Sequence, residues 1–261
     1  MPVIQTKGLS ISYGANRVVT NIDLKIPESK ITTIIGANGC GKSTVLKTLA
    51  RILSPSAGGA YLDGKLIHKA NTKEMAKQLA ILPQSPDSPS GLKVGELVSY
   101  GRAPRQKGFG KLSNEDQIVI DQSLELAGML KFKQRDVDEL SGGQRQKVWI
   151  AMALAQETPV LLLDEPTTYL DLAHQLEVLK ILKRLNEEEG RTVVMVLHDL
   201  NHASRFADYM IAMGDGAIIQ DGSPNEIMTP QVLKKVFNID AIITRDPVNQ
   251  KPTCITYDLF E

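Results

Sequence analysis

Apolar and polar positions alternate in two early stretches of the chain and run together in three later ones. Residues 3–8 and 18–26 alternate, which predicts two half-buried antiparallel strands. Continuous apolar or β-branched runs, typical of strands covered on both faces in a parallel sheet, occupy 31–35, 160–163 and 192–197. Helical periodicity follows at 43–52, 145–156 and 172–188. The pattern therefore predicts an α/β fold with a mostly parallel core sheet and an antiparallel N-terminal β subdomain.

The composition changes at residues 85–91, Ser-Pro-Asp-Ser-Pro-Ser-Gly, which predict a linker because they favour neither helix nor strand. A mostly helical insert follows, with helices expected over 94–100 and 114–127. Between them, 101–111 is basic and predicts an exposed loop; the alternative is a patch that faces acidic partner loops or lipid head groups. After a hairpin at 209–221 and two short helices, the C-terminal tail is expected to add edge strands.

Charge and cysteine content narrow the class of protein. Lys+Arg and Asp+Glu both number 30, so no global field steers the chain toward nucleic acid, and no nucleic-acid partner is expected. Two cysteines are too few for a disulfide framework, and the N-terminus does not resemble a signal peptide, which favours a reducing cytosol. No apolar run approaches the roughly 20 residues of a membrane span, so the chain is not itself a pore.

A glycine-rich segment at residues 36–43, Gly-Ala-Asn-Gly-Cys-Gly-Lys-Ser, lies between a predicted strand and a predicted helix. In this order, glycines let successive N–H groups point inward while the helix contributes its positive dipole end, so the segment predicts a phosphate cradle. Lys42 can reach the β- and γ-phosphates, and the Ser43 hydroxyl is placed to hold Mg²⁺. A nucleoside triphosphate with Mg²⁺ is the expected ligand.

Polar residues recur where the later strands end. Asp164 and Glu165 follow the apolar run at 160–163, and His198 follows the run at 192–197. Because ligands of open α/β sheets bind at the carboxyl ends of strands, these residues are expected near the phosphates. A second anion site is predicted at Gly142 and Gly143, which open a helix whose N-cap is expected to be Ser141.

Taken together, these motifs resemble the ATPase subunits of ABC transporters. The resemblance rests on Tyr13, residues 36–44, Gln84, residues 140–144 (Leu-Ser-Gly-Gly-Gln), 160–165, Asp171 and His198. Short segments around these motifs resemble one subfamily, the importers of iron-siderophore, haem and cobalamin complexes. These segments include Leu82-Pro83-Gln84, Tyr100-Gly101-Arg102 and Thr168-Tyr169-Leu170-Asp171 with His174-Gln175. Ferric-siderophore importers are the most similar, with haem, cobalamin or another metal complex as the alternative cargo.

The resemblance implies a role for each of these residues. ATP would be bound by Tyr13, which stacks on adenine, by Gly36, Ala37, Asn38, Gly39, Cys40, Gly41, Lys42, Ser43 and Thr44, and, from a second copy of the chain, by Ser141, Gly142, Gly143, Gln144 and Asp171. Mg²⁺ would be held by Ser43, Asp164 and Gln84. Glu165 would be the general base on the attacking water, and His198 would contact the γ-phosphate, with Gln84 and Lys42 completing the catalytic set.

The resemblance also implies partners and a domain plan. Two copies would sandwich two ATP molecules and move an integral membrane permease, which an extracytoplasmic substrate-binding protein loads, so the chain is expected at the cytoplasmic face of a bacterial cell membrane. Residues 1–84 and 140–261 would form the ATP-binding core and 85–139 the inserted helical subdomain. The rival hypothesis is a soluble ABC ATPase that acts on nucleic acid, ribosomes or cofactor assembly.

Cys40 departs from the family pattern, in which small residues are common at this position. A thiol at a helix N-terminus beside Lys42 could have a lowered pKa and be reactive. The preferred interpretation is that Cys40 fills space in the loop.

Overall fold

A computed structural model describes residues 2–84, 86, 89–106 and 111–260, without the side chains of residues 2 and 3. The strands, in chain order, are β1 Pro2–Tyr13, β2 Asn16–Pro27, β3 Ile31–Gly36, β4 Ala57–Leu62, β5 Lys65–Leu66, β6 Leu79–Leu82, β7 Val160–Asp164, β8 Thr192–Val196, β9 Tyr209–Gly214, β10 Ala217–Gly222, β11 Ile239–Arg245 and β12 Pro252–Leu259. The α-helices are α1 Lys42–Leu49, α2 Thr72–Ala76, α3 Val94–Ser99, α4 Asn114–Leu126, α5 Gly142–Ala155, α6 Leu172–Glu189, α7 Leu200–Phe206, α8 Pro224–Ile227 and α9 Pro230–Phe237.

The chain divides into two compact units, one made of Met1–Ala70 with Gly190–Glu261 and the other of Asn71–Glu189. In the first unit, β2, β1, β4 and β5 form an antiparallel sheet in that order. Strands β10, β9, β3 and β8 follow one another in a second sheet, in which β3 is parallel to both β8 and β9. Every residue of β3 and β8 is buried, as their continuous apolar sequences predict.

The C-terminal tail of the first unit forms its own sheet, because β11 and β12 are paired with each other as a two-stranded antiparallel hairpin. The prediction of edge strands was therefore wrong. Asn201 in α7 holds β12, since its Nδ2 donates to the Cys254 carbonyl (3.0 Å) and its Oδ1 accepts from the Cys254 N–H (2.8 Å). Cys254 is buried, with 8 % of its surface exposed.

In the second unit, β6 and β7 form a parallel pair, and α3, α4 and α5 pack against one another. Their apolar faces supply buried side chains, including Leu97, Ile120 and Val148. Ser141 caps α5 through its hydroxyl, as predicted, and Ser113 caps α4 in the same way. Of the predicted linker, Ser85, Asp87 and Ser88 lie outside the described residues. The bounds of the helical insert stay a prediction.

The basic interval at 101–111 differs from the expected exposed loop. Arg102 is only 4 % exposed and lies in a short 3₁₀ helix, Tyr100–Arg102. Its Nε donates to Asp116 Oδ1 (2.8 Å), and its Nη1 donates to Glu157 Oε2 (2.6 Å) and to the Ala155 carbonyl (2.7 Å). Arg105 and Lys111 are exposed as predicted, and Lys107 lies outside the described residues. The sequence pattern missed the buried arginine because its partners are distant along the chain.

Candidate active site

The phosphate loop, residues 36–43, connects β3 to α1 in the first unit. Its glycines have positive φ angles, +156° at Gly36, +80° at Gly39 and +101° at Gly41, which side chains disfavour. Gly36 also has a steric reason to be glycine, because a Cβ there would lie 2.4 Å from the Met213 carbonyl oxygen. The loop conformation therefore requires the glycines that the sequence supplies.

Lys42 stabilises the loop by hydrogen bonds to its backbone. Its Nζ donates to the carbonyls of Gly36 (2.8 Å) and Ala37 (2.9 Å), and the residue is 5 % exposed. Helix α1 begins after Gly41, which has no side chain to cap it, and its first turn carries no acidic residue. Backbone N–H groups and an ammonium thus meet at a helix N-terminus where no carboxylate of the first turn competes for an anion.

Cys40 is 6 % exposed, and burial raises the pKa of its thiol even though the nearby Lys42 charge acts to lower it. The alternative of a reactive, low-pKa thiol is therefore wrong, because desolvation outweighs the charge of Lys42. The Cys40 carbonyl accepts from the N–H of Gly216 (3.2 Å), so this residue ties the loop to the turn between β9 and β10.

Two other predicted residues lie in the first unit. Tyr13 ends β1 and is 49 % exposed, so its ring is available for stacking. His198 is exposed two residues beyond β8, whose Val196 pairs with Ile34 of β3. Because these strands are parallel, His198 and Gly36 emerge at the same sheet edge. Residues 37–40 line a cleft of about 400 Å³ together with Arg17, Asp215 and Lys235. Tyr13 is not among the residues that line this cleft.

In the second unit, Gln84 and Glu165 meet at the carboxyl edge of the parallel pair β6 and β7, where Leu82 pairs with Leu163. The Gln84 Nε2 donates to Glu165 Oε2 (2.6 Å), and the Thr168 hydroxyl donates to the same oxygen (3.0 Å). Glu165 is 8 % exposed and has a φ of +52°, and Asp164 is fully buried. The two donors fix the Glu165 carboxylate in one orientation, which a general base requires. Sequence reasoning missed Thr168.

Residues 140–144 begin α5 as a capping box. The Ser141 hydroxyl accepts from the Gln144 N–H (3.3 Å), and Gln144 Oε1 accepts from the Ser141 N–H (3.2 Å). A Cβ at Gly142 would meet nothing within 4 Å, whereas one at Gly143 would lie 3.3 Å from Cγ of His174. Gly142 therefore leaves open space at the helix start, and Gly143 makes room for a neighbouring ring.

Asp171 precedes α6 and is held by His174. Its Oδ1 accepts from the His174 N–H (2.9 Å), and its Oδ2 lies 2.8 Å from His174 Nδ1. Hydrogen bonds from the backbone and then the side chain of His174 lower the pKa of Asp171. Sequence reasoning gave His174 no role, although its place three residues after an N-cap aspartate is the spacing of a capping contact.

The three predicted Mg²⁺ ligands have the oxygen donors that a hard cation prefers. Ser43, Asp164 and Gln84 offer hydroxyl, carboxylate and amide oxygens, which Mg²⁺ prefers. Among the described residues, no group of three or more His, Cys, Asp or Glu side chains could hold a metal by itself. Oxygen donors of this kind suit Mg²⁺ that also binds the phosphates of a nucleotide, because Mg²⁺ is seldom enclosed by protein ligands alone.

A strand, a glycine-rich loop with Lys42 and Ser43, and a helix define a phosphate-loop nucleotide-binding protein. The family model described as ABC transporter matches residues 19–168. The chain therefore belongs to the ABC transporter family, in which it is an ATP-binding protein and an ATPase coupled to transport. The predictions of family, fold class and enzyme class are confirmed.

The chain is similar to several curated ATP-binding proteins of import or transport systems over nearly its whole length. It is 59 % identical to the iron(3+)-hydroxamate import ATP-binding protein FhuC of Bacillus subtilis, over 100 % of this chain and 97 % of that protein. It is 48 % identical to the achromobactin transport ATP-binding protein CbrD of Dickeya dadantii (98 % and 96 %). Identity to the ferric enterobactin transport ATP-binding protein FepC of Escherichia coli is 42 % (95 % and 91 %).

Solved structures show the same fold. A metal-chelate type ABC transporter in an inward-facing conformation has a TM-score of 0.84 and 27 % identity, over 98 % of both chains. A dimeric ATP-binding cassette, MJ0796, in a post-hydrolysis state with ADP and Pi, has a TM-score of 0.76 and 30 % identity, over 84 % of this chain and 98 % of that one. Within the described residues, no helix is both long enough and apolar enough to cross a membrane.

Proposed function

We propose that this protein hydrolyses ATP to power the import of an iron-siderophore complex through a membrane permease. The observation that carries the proposal is the 59 % identity to an iron(3+)-hydroxamate import ATP-binding protein across the entire chain. Relatives named for achromobactin and ferric enterobactin transport support the same cargo class at 48 % and 42 % identity.

ATP would be bound first by the phosphate loop. Lys42 would exchange its carbonyl partners for the β- and γ-phosphates, and the N–H groups of the loop would surround the phosphate oxygens. Tyr13 would stack on adenine, and Ser43 and Thr44 would open α1 beneath the phosphates. Ser43, Asp164 and Gln84 would hold Mg²⁺, which supplies neutralisation of the phosphate charge.

Hydrolysis would depend on Glu165 as the general base. Gln84 and Thr168 donate to one carboxylate oxygen of Glu165, and this would orient the carboxylate for the attacking water. His198 would contact the γ-phosphate and keep the water aligned. Because Gln84 bonds to Glu165 and also precedes the helical insert at 85–139, a change at the nucleotide would reach that insert through this hinge.

A second copy would complete each ATP site with Ser141, Gly142, Gly143 and Gln144, and Asp171 would cross the seam between the copies. The dimeric cassette at 30 % identity and the transporter at 27 % identity support a homodimer that docks on a permease. We place the protein at the cytoplasmic face of the cell membrane, with an extracytoplasmic binding protein as an indirect partner.

Reconstitution of the protein with its permease and binding protein in liposomes tests this proposal. Ferric hydroxamate and ferric enterobactin complexes are compared with haem and cobalamin for stimulation of ATP hydrolysis, and a Glu165→Gln subunit serves as the hydrolysis-dead control. The proposal predicts stimulation and uptake with a ferric siderophore. Stimulation by haem or cobalamin alone would refute the cargo, and stimulation of the free subunit by RNA or DNA would refute transport.

A further inference from the structure

His174 lies in the first turn of α6 and contacts two motifs that are separated along the chain. Its Nδ1 lies 2.8 Å from Oδ2 of Asp171, and its backbone N–H donates to the other oxygen of that carboxylate at 2.9 Å. Its side chain is 37 % exposed. The carboxylate is thereby held at both oxygens by one residue.

The imidazole ring also covers Gly143 at the start of α5. A Cβ built on Gly143 would lie 3.3 Å from Cγ and 3.4 Å from Cδ2 of His174, which is closer than most real Cβ contacts. At the adjacent Gly142, the same construction meets nothing within 4 Å. The ring therefore rests on Gly143 specifically, and a larger residue there would push it away from Asp171.

Two further contacts near the start of α5 join this helix to α6 and to the segment after β7. Lys147 of α5 forms an ion pair with Glu177 of α6, and this contact lowers the pKa of the Glu177 carboxyl. Gln146 Nε2 donates to the Pro166 carbonyl at 3.0 Å, which ties α5 to the segment after β7. His174 adds a third contact at the N-terminal ends of α5 and α6, where Gly143 and Asp171 lie.

We propose that His174 is a positioning residue that fixes the spacing between Gly143 and Asp171, so that one subunit presents both to the second copy as a single rigid surface. The inference rests on the proposed function, in which Gly143 closes the partner's ATP site and Asp171 crosses the seam. The ring sets the distance to the glycine, and the Nδ1–H sets the direction of the carboxylate.

Two substitutions separate these contributions. In His174→Asn the side-chain amide keeps a donor at the place of Nδ1 but loses the ring, and in His174→Phe the ring stays but the donor is lost. Lys183→Ala is the control, because Lys183 lies on the same helix and its side chain is 49 % exposed. In the full-length protein, kcat and KM for ATP, the melting temperature and ATP-driven dimerisation in a Glu165→Gln background are measured.

The proposal predicts that His174→Phe lowers kcat about fivefold and weakens ATP-driven dimerisation, with KM changed less than about twofold, because it loses a hydrogen bond to a charged group. His174→Asn should recover only part of the lost kcat, because it restores the donor but not the ring that sets the distance to Gly143. Both melting temperatures should stay near that of Lys183→Ala. Wild-type kcat in His174→Phe would overturn the inference. A fall in kcat that is accompanied by a fall in melting temperature, to the same extent in both variants, would also overturn it, because the role of His174 would then be structural only.

The same experiment separates the inference from the proposed function. If the unmodified protein does not hydrolyse ATP, or if its Glu165→Gln form does not dimerise with ATP, the proposed function fails. If both behave as expected and the His174 variants match the control, only the positioning role is refuted.

Discussion

Glu165 receives hydrogen bonds on one oxygen from two side chains, Gln84 and Thr168, and it is nearly buried. Replacing it by Gln preserves the shape and removes the basic oxygen. We expect Glu165→Gln to lower kcat for ATP by at least about 100-fold, since a positioned general base contributes that much, while ATP binding is retained. Steady-state hydrolysis and ATP retained after gel filtration measure the two effects.

Turnover near the wild-type rate in that variant would remove Glu165 from its role. Thr168→Val provides the comparison, because it keeps the carboxylate and deletes one of its two donors. Its kcat is expected between those of wild type and Glu165→Gln.

Gly36 combines a positive φ with a close backbone neighbour, and Gly14 has a positive φ in open space. Gly36→Ala would place a methyl group 2.4 Å from the Met213 carbonyl oxygen. We expect it to lower the free energy of unfolding by about 3 kcal/mol or more, and Gly14→Ala by about 1 kcal/mol, because only the first adds overlap to backbone strain. Urea unfolding without nucleotide measures both, and equal losses would contradict the steric argument.

Among individual residues, the sequence indicated those whose role depends on their neighbours along the chain. A glycine-rich loop and a capping serine are predictable from neighbouring residues, so the phosphate loop and Ser141 were found. The pKa of Cys40 was not, because its desolvation depends on the packed loop. His174 was missed since its second contact, Gly143, lies 31 positions away in the sequence numbering.

Among the elements, the helices that pack in the second unit depend on one buried cation. Arg102 joins its 3₁₀ helix to Asp116 of α4 and to Glu157 and the Ala155 carbonyl at the end of α5. The guanidinium and a hydrogen bond from Ser113 lower the pKa of Asp116, so this carboxylate stays ionised down to unusually low pH. The buried ion pair between Arg102 and Asp116 therefore links these helices.

Arg102→Met would leave Asp116 nearly buried without its cation. We expect the free energy of unfolding to fall by about 3 kcal/mol, because removing one partner of a buried ion pair leaves an uncompensated charge. Arg184→Met is the control, since Arg184 is 59 % exposed and its pair with Glu188 contributes about 0.5 kcal/mol or less. Urea unfolding at neutral pH measures both, and similar losses would show that the buried Arg102 ion pair contributes no more than an exposed one.

Element positions were largely predictable, whereas pairing was less so. The continuous apolar runs became buried strands, and the alternating runs became β1 and β2, because side-chain period reflects which faces are covered. The tail was misassigned, since strand partners are chosen by tertiary contacts. Asp246 turns the chain there by accepting from the N–H groups of Val248 (2.8 Å) and Asn249 (3.2 Å), which pairs β11 with β12.

For the whole molecule, we propose two identical incomplete sites that become complete only between copies. Lys42→Ala would disable the phosphate loop, and Gly142→Asp would place a negative charge beside the phosphates without steric conflict inside the subunit. We expect each variant alone to be inactive. A mixture should regain about a quarter of wild-type activity, because half of the dimers are mixed and each holds one intact site.

ATP hydrolysis measured after mixing at increasing ratios tests this expectation. No recovery in the mixture, although gel filtration shows mixed dimers, would contradict sites shared between copies. Full activity of either variant alone would contradict the assignment of its residue.

Both cysteines of the chain are buried, Cys40 at 6 % and Cys254 at 8 % exposure, and burial raises the pKa of both thiols. Maleimide reagents at neutral pH should therefore spare them. A cysteine introduced at Tyr169, whose side chain is 89 % exposed, would be the thiol that reacts. The unaltered chain thus already provides a background for fluorescent or spin labels, which could follow two copies as they approach and separate during each cycle of ATP hydrolysis.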